Sequence, residues 1–173
     1  MLFDGKCLWE KYINKLIREI FYHLKNKSGI DAQQLFSKSN NYSQIGLIYP
    51  DFSSKNSNKR IIADAKYKPI MNIANKDYLQ VLGYMFRFNA KTGFYIYPAN
   101  NNESESDPES KMYLNEGTTF ENNVKHQEDI IITKLGLIIP DNKDLTYSDF
   151  SQEMKLNETQ LVKSIINDQD VGY

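Results

Sequence analysis

The sequence predicts an α/β domain in which a central mixed β-sheet is flanked by helices. Three observations carry this. Helical and strand-like periodicities follow one another in the order helix, strands, helix, strand, strands, helix. A short Ser/Asn-rich stretch joins two neighbouring apolar runs, which predicts an antiparallel hairpin. The chain has 173 residues, 40% hydrophobic and 13% aromatic, enough for one domain with a sizeable core. Without a repeat or a linker in view, residues 1–173 are expected to form a single domain.

Each element has its own signal. From Leu8 to about Asn26, Trp9, Ile13, Leu16, Ile20 and Leu24 recur at helical spacing, with Lys11, Lys15 and Arg18 outside the stripe. Glu10 falls on the flank of that stripe, so its carboxylate points partly inward and needs a partner. A looser polar stretch runs from Lys25 to Asn41. "YSQIGLIYP" reads as the first strand, "SSKNSNK" as a turn and "RIIADAKYK" as the second strand of a hairpin. Asp77 to about Lys91 reads as a helix stopped by Gly93. "GFYIYP" is a third strand, and "KMYL" and "DIIITKLGLIIP" are later ones, the last weakened at Gly136. Between them the acidic "ANNNESESDPES", about residues 99–110, is expected to be a flexible loop. Tyr147 to Asn167 reads as one or two helices on Phe150, Met154, Leu161, Ile165 and Ile166.

Composition narrows the chemistry. Charges nearly cancel, with 21 Lys+Arg against 22 Asp+Glu, so any nucleic-acid contact must come from local clustering. One cysteine, Cys7, excludes an internal disulfide framework and a four-cysteine zinc or iron–sulfur site built by one chain. Two histidines, His23 and His126, argue against a histidine metal site, and none of these three residues is assigned a role. No apolar run approaches the roughly 20 residues of a membrane span, and no signal-peptide pattern opens the chain. A soluble, cytoplasmic domain is expected.

The chemistry-bearing residues gather at the hairpin. In a strand, residues two apart share a face, so Ile62, Asp64, Lys66 and Lys68 share one, while Ile61, Ala63, Ala65 and Tyr67 share the other, read as core. Asp64 and Lys66 then project side by side, and Asp51 ends the preceding strand, where the hairpin brings it near Asp64. Two carboxylates forced together repel, and a divalent cation removes the conflict. Magnesium takes oxygen ligands, usually one or two carboxylates with waters and substrate phosphates. A lysine beside it can orient a water or stabilise charge building on a phosphate. On the next helix Asp77, Gln80, Tyr84, Arg87 and Lys91 fall within about 60° of Gln80, a polar stripe suited to DNA phosphates, with Leu79, Leu82, Met85 and Phe86 broadly opposite as the buried face.

"PD" at Pro50–Asp51 followed by "DAK" at Asp64–Lys66 resembles the PD-(D/E)xK motif of restriction-endonuclease-like nucleases. "LWEKY" supplies the glutamate, Glu10, that this superfamily often carries in the helix before the first strand. "QVLGY" supplies the Gln-x-x-x-Tyr of its RecB-type and lambda-exonuclease-type branch, as Gln80 and Tyr84. The order "LWEKY…PDF…ADAKYK…YLQVLGYM", a motif core at about residues 8–98, is most similar to the catalytic domain of McrC, the nuclease subunit of McrBC 5-methylcytosine-specific restriction systems. The resemblance implies a restriction-endonuclease-like fold and a Mg²⁺-dependent DNA endonuclease, with Mn²⁺ as a substitute. It implies that Asp51, Asp64 and the Ala65 backbone carbonyl hold the metal, that Lys66 positions or activates the attacking water, and that Glu10 assists through a water or a second metal. Gln80, Tyr84 and Arg87 would position the lysine or the DNA backbone. The implied partner is an AAA+ GTPase of McrB type, which recognises modified DNA. Such nucleases usually carry an N-terminal region that docks on the motor; here it is expected to be missing or encoded elsewhere. Two alternatives remain: another nuclease of this superfamily acting in repair or defence, or a degenerate domain that binds DNA or a partner without cutting.

A second stretch satisfies the same pattern. "IIPD" at Ile138–Asp141 precedes "EMK" at Glu153–Lys155. It is rejected because "EMK" lies in a helical pattern, where Glu153 and Lys155 diverge by about 200°.

Overall fold

The computed structural model describes residues 4–25, 29–100, 109–141 and 145–170. It is a three-layer α/β arrangement, consistent with a restriction-endonuclease-like fold. Helix α1 (Gly5–Ile17) is followed by strand β1 (Phe21–His23), β2 (Gln33–Ser37), β3 (Gln44–Ile48), β4 (Phe52–Ser54) and β5 (Ile61–Ala65). Then come helix α2 (Asn75–Phe88), β6 (Thr92–Asn100), β7 (Glu109–Glu116), β8 (Lys125–Ile139) and helix α3 (Tyr147–Asp170). Six strands form one mixed sheet in the order β1-β4-β5-β6-β8-β7, and β2 and β3 form a separate hairpin. The centre β5-β6-β8 is parallel; the flanking pairs are antiparallel.

Both faces of the sheet are covered. On one, Ile61, Ala63, Phe94, Ile96, Leu135 and Leu137 pack against Trp9, Ile13 and Ile17 of α1 and Leu161 and Ile165 of α3. On the other, Ile62, Tyr95, Tyr97 and Ala99 pack against Val81, Tyr84 and Met85 of α2. The face of β5 expected to be polar is therefore buried beneath α2, and Asp64 is only 3% exposed. Tyr67, expected in the core, is exposed.

The chain departs from the sequence reading where backbone pairing overrides side-chain period. The first helix stops at Ile17, not near Asn26, because residues 21–23 are recruited as β1 against β4 and Phe21 is buried there. The polar stretch after it contains β2, which pairs with β3. The strand read in "YSQIGLIYP" is real but is not the partner of β5. That partner is β4, whose three residues are all buried, while the β3 residues are mostly exposed. Asp51 thus sits just before a strand instead of at the end of one.

Helix α2 ends at Asn89, which takes the left-handed conformation at φ 53° and donates its amide back to the last turn. Gly93 is not its stop. It lies within β6, where a Cβ would come 2.7 Å from Met85 Sδ and 3.0 Å from Val81 Cγ1, so its lack of a side chain lets α2 approach the sheet. Gly136 does not interrupt β8. The C-terminal helical reading resolves to one helix, whose Asn157 donates to the Ile138 carbonyl. Of the acidic loop, 99–100 and 109–110 belong to β6 and β7, and residues 101–108 lie outside the described residues. No helix among the described residues is long and apolar enough to cross a membrane.

One acceptor ties the layers together. The Ile96 carbonyl receives both the Trp9 indole N–H, at 3.1 Å, and the Lys66 backbone N–H, at 2.9 Å. The point where the chain leaves β5 is thereby fastened to its neighbouring strand and to α1.

Candidate active site at the end of β5

The antiparallel register that pairs Phe52 with Ala63 and Ser53 with Ile62 places Asp51 opposite Asp64 when carried one residue further. Asp51 Oδ2 accepts from the Ala65 backbone N–H at 2.9 Å. In extended backbone a residue's N–H and C=O leave from the same edge, so the Ala65 carbonyl also faces the Asp51 side. Burial, then the Asp64 charge, pushes the Asp51 carboxyl up to about 8, against the lowering pull of the Ala65 amide. Burial also raises Asp64, although Lys66 opposes it. At neutral pH and without a cation, the pair keeps a proton that two solvated carboxylates would have lost.

Lys66 turns its ammonium into this group. Nζ lies 2.7 Å from Asp64 Oδ2, 3.1 Å from Gln80 Oε1 and 3.5 Å from Asp77 Oδ1. The Asp64 contact is an ion pair at hydrogen-bond length, and it opposes the rise that burial gives the Asp64 carboxyl. Burial would lower the Lys66 pKa, but the surrounding carboxylates, Asp64 first, carry it above its ordinary value. Lys66 is therefore an ammonium at neutral pH.

Helix α2 supplies the support. Gln80 Nε2 donates to the Tyr84 hydroxyl at 2.6 Å, so amide and phenol act in series behind Lys66. Tyr84 is buried, which raises its pKa, and its oxygen also meets the backbone of Tyr49, two residues before Asp51. The face of α2 turned to the sheet carries Asp77, Val81, Tyr84 and Met85. The expected facing of the helix holds for Met85, which is buried, and for Gln80 and Arg87, which are exposed, but Asp77 and Tyr84 are buried while Leu79 and Phe86 are 70% and 86% exposed, and Leu82 is half-buried. The reason lies beneath: buried Asp64 and Lys66 require polar neighbours, and an apolar face there would strand them.

Glu10 is turned towards the carboxylates closely enough to raise both Asp51 and Asp64, and its Oε1 lies 2.6 Å from His23 Nε2. His23, given no role from the sequence, is its partner. Arg87 is not brought into the group: its Nε donates to the Gln34 carbonyl at 2.7 Å, tying α2 to the β2–β3 hairpin. In the competing stretch, Glu153 and Lys155 lie on helix α3, as expected, and Asp141 in the segment after β8.

Two further members of the group, Asp77 and Lys68, were given no site role from the sequence. Asp77 Oδ2 accepts from Lys68 Nζ at 2.6 Å and from the Ala74 amide at 3.0 Å, and the Tyr95 hydroxyl donates to the Asp77 carbonyl. Burial would raise Asp77, but the Lys68 hydrogen bond and the Ala74 amide hold it below its ordinary value. The sequence reading had placed Asp77 on the helix face of Gln80, three residues before it, without linking it to the lysine. Lys68, placed by the sequence reading only on the strand face of Asp64 and Lys66, neutralises Asp77.

These residues suit a small hard cation. Among the described residues no group of three Asp, Glu, His or Cys side chains is close enough to hold one. The donors on offer are Asp51, Asp64 and the Ala65 carbonyl. One or two carboxylates with further oxygen ligands is a set magnesium accepts, and a carboxyl forced to keep its proton beside Asp64 fits the removal of that conflict by a cation.

The fold and this carboxylate–lysine cluster define a mixed α/β domain of restriction-endonuclease-like architecture. The family model described as McrBC 5-methylcytosine restriction system component matches residues 1–98, and the chain belongs to that family. That match covers α1 to most of β6 and so contains every candidate residue named above. No curated protein matches the chain.

Proposed function

We propose that this chain is the nuclease of a McrBC-type restriction system, a Mg²⁺-dependent DNA endonuclease working with an AAA+ GTPase of McrB type. The observation that carries this reading is the convergence of Asp51, Asp64 and Lys66 at the end of β5, with Gln80 and Tyr84 stacked behind the lysine.

Asp51, Asp64 and the Ala65 carbonyl would hold the cation, which would supply Lewis-acid polarisation of the phosphodiester and a more acidic attacking water. The chain's own residues do the remaining work. Lys66 is charged, so it acts as donor and point charge instead of base, orienting the water and countering charge that builds on the phosphate oxygens. Gln80 and Tyr84 fix the lysine so that this alignment is not rebuilt in each turnover. Glu10, held by His23, adds a carboxylate that can take a proton from the attacking water through solvent. Water oxygen bonds to phosphorus, the bond to the leaving sugar oxygen breaks, and that oxygen is protonated from solvent.

The test is cleavage of methylated double-stranded DNA by the purified chain with its motor subunit, GTP and Mg²⁺ or Mn²⁺. Cleavage that disappears in Asp64→Asn and Lys66→Ala supports the reading. Cleavage at parental rate by either variant overturns it.

A further inference from the structure

We propose that Asp77 is a positioning residue that receives the Lys66 ammonium when a cation takes Asp64. This rests on the nuclease reading above. Lys66 Nζ lies 2.7 Å from Asp64 Oδ2, the oxygen a cation would claim. A cation there repels the ammonium and competes for its partner, so the lysine must move. It is largely buried, and a buried ammonium needs an anion. Gln80 offers only a neutral amide oxygen. Asp77 Oδ1, at 3.5 Å, is the carboxylate oxygen within reach on the α2 side, and a movement of under about 1 Å brings it to hydrogen-bond distance.

Asp77 is built to receive it. Its other oxygen is held by Lys68 Nζ and the Ala74 amide, and the Tyr95 hydroxyl fixes its carbonyl. The carboxylate cannot turn away, and Lys68 balances its charge while Lys66 is on Asp64. Lys66 therefore has two anionic seats separated by a small movement. The second keeps it beside the reacting phosphate and not in solvent.

Asp77→Asn keeps an acceptor for the Ala74 amide and so preserves the start of α2. In the assembled complex, kcat for DNA cleavage should fall about 10–100-fold while KM for DNA stays within about two-fold. In the metal-free chain titrated with Mn²⁺ and followed by melting temperature, the variant should bind several-fold more weakly, because the lysine stays on Asp64. In a Lys66→Met background the same substitution should leave Mn²⁺ affinity unchanged, since no lysine remains to be received. An undiminished loss in that background overturns the proposal, because Asp77 would then act through bulk charge or fold. A second variant is independent of Asp77: in a crystal structure of metal-free Asp64→Asn, Lys66 Nζ should lie within hydrogen-bond distance of Asp77, and a lysine turned to solvent overturns the proposal. Failure of the nuclease reading looks different. Mn²⁺ affinity would then be indifferent to Asp64→Asn, and the proposal would fall with that reading.

Discussion

Replacing Asp51 with asparagine should stabilise the metal-free protein. Folding takes the Asp51 carboxyl from its ordinary value near 3.8 up to about 8, through burial and the Asp64 charge. Between those values the folded state holds a proton that the unfolded chain releases, so folding stability falls as pH rises across this window. The contribution is fully present below the unfolded pKa and is lost as pH rises through the folded one. One pKa unit corresponds to about 1.4 kcal/mol, which sets an upper bound of about 4 kcal/mol at pH 7. Asp64 shares the proton, and part of that penalty reappears there when Asp51 is neutralised. We expect a gain of about 1–2 kcal/mol, or roughly 2–8 °C in Tm for a domain of this size. Asparagine Oδ1 can still accept the Ala65 N–H, so the backbone contact survives. The assay is thermal unfolding in EDTA from pH 5 to 8.5. The variant should melt above the parent by a margin that grows with pH, and its own curve should be flatter. A variant that melts with or below the parent throughout would refute the argument that these carboxylates are held together at a cost.

Lys66→Ala should lower single-turnover cleavage in the motor-assembled complex at least about 100-fold, roughly 3 kcal/mol of barrier, while DNA retention in a filter-binding assay is unchanged. Mn²⁺ should raise the Tm of the parent more than Mg²⁺ does, and Asp64→Asn should erase the shift; a shift that persists in both Asp64→Asn and Asp51→Asn would place the cation elsewhere. Gly93→Ala should cost about 1–3 kcal/mol in urea unfolding, because its Cβ meets Met85 and Val81 inside van der Waals contact, and an unchanged midpoint would show that α2 can lift off the sheet freely.

How much of this was legible depends on which force decided each position. The carboxylates, the lysine and the Gln80–Tyr84 pair could be read because period-2 and period-3.6 geometry constrains side chains locally, and those contacts span short stretches of chain. Asp51 was placed beside Asp64 correctly but for the wrong reason. The strand that aligns them begins after Asp51, and "FSS" is too short and polar to announce itself as buried. His23 was illegible because the helical stripe of α1 continues through Ile20 and Leu24, and only pairing with β4 reveals the turn to strand. The facing of α2 was read only in part, with Asp77 and Tyr84 turned inward and Leu79 and Phe86 outward, because an amphipathic pattern says which residues are polar, not which polar residues the sheet requires. Leu79 and Phe86 look like core until Asp64 and Lys66 are seen to occupy the surface beneath the helix.

The shared acceptor at Ile96 gives the molecule a built-in optical probe. Trp9 is the only tryptophan in the chain, it is buried, and its indole N–H is bound to the same oxygen that holds the Lys66 amide. Its neighbour in sequence is Glu10. Emission excited at the indole band therefore reports on one place, the junction of α1 with the end of β5, without any label. A disturbance that loosens that oxygen should shift the spectrum to the red before the whole domain unfolds, and cation titrations can be followed by light from a residue that is not among the proposed cation ligands.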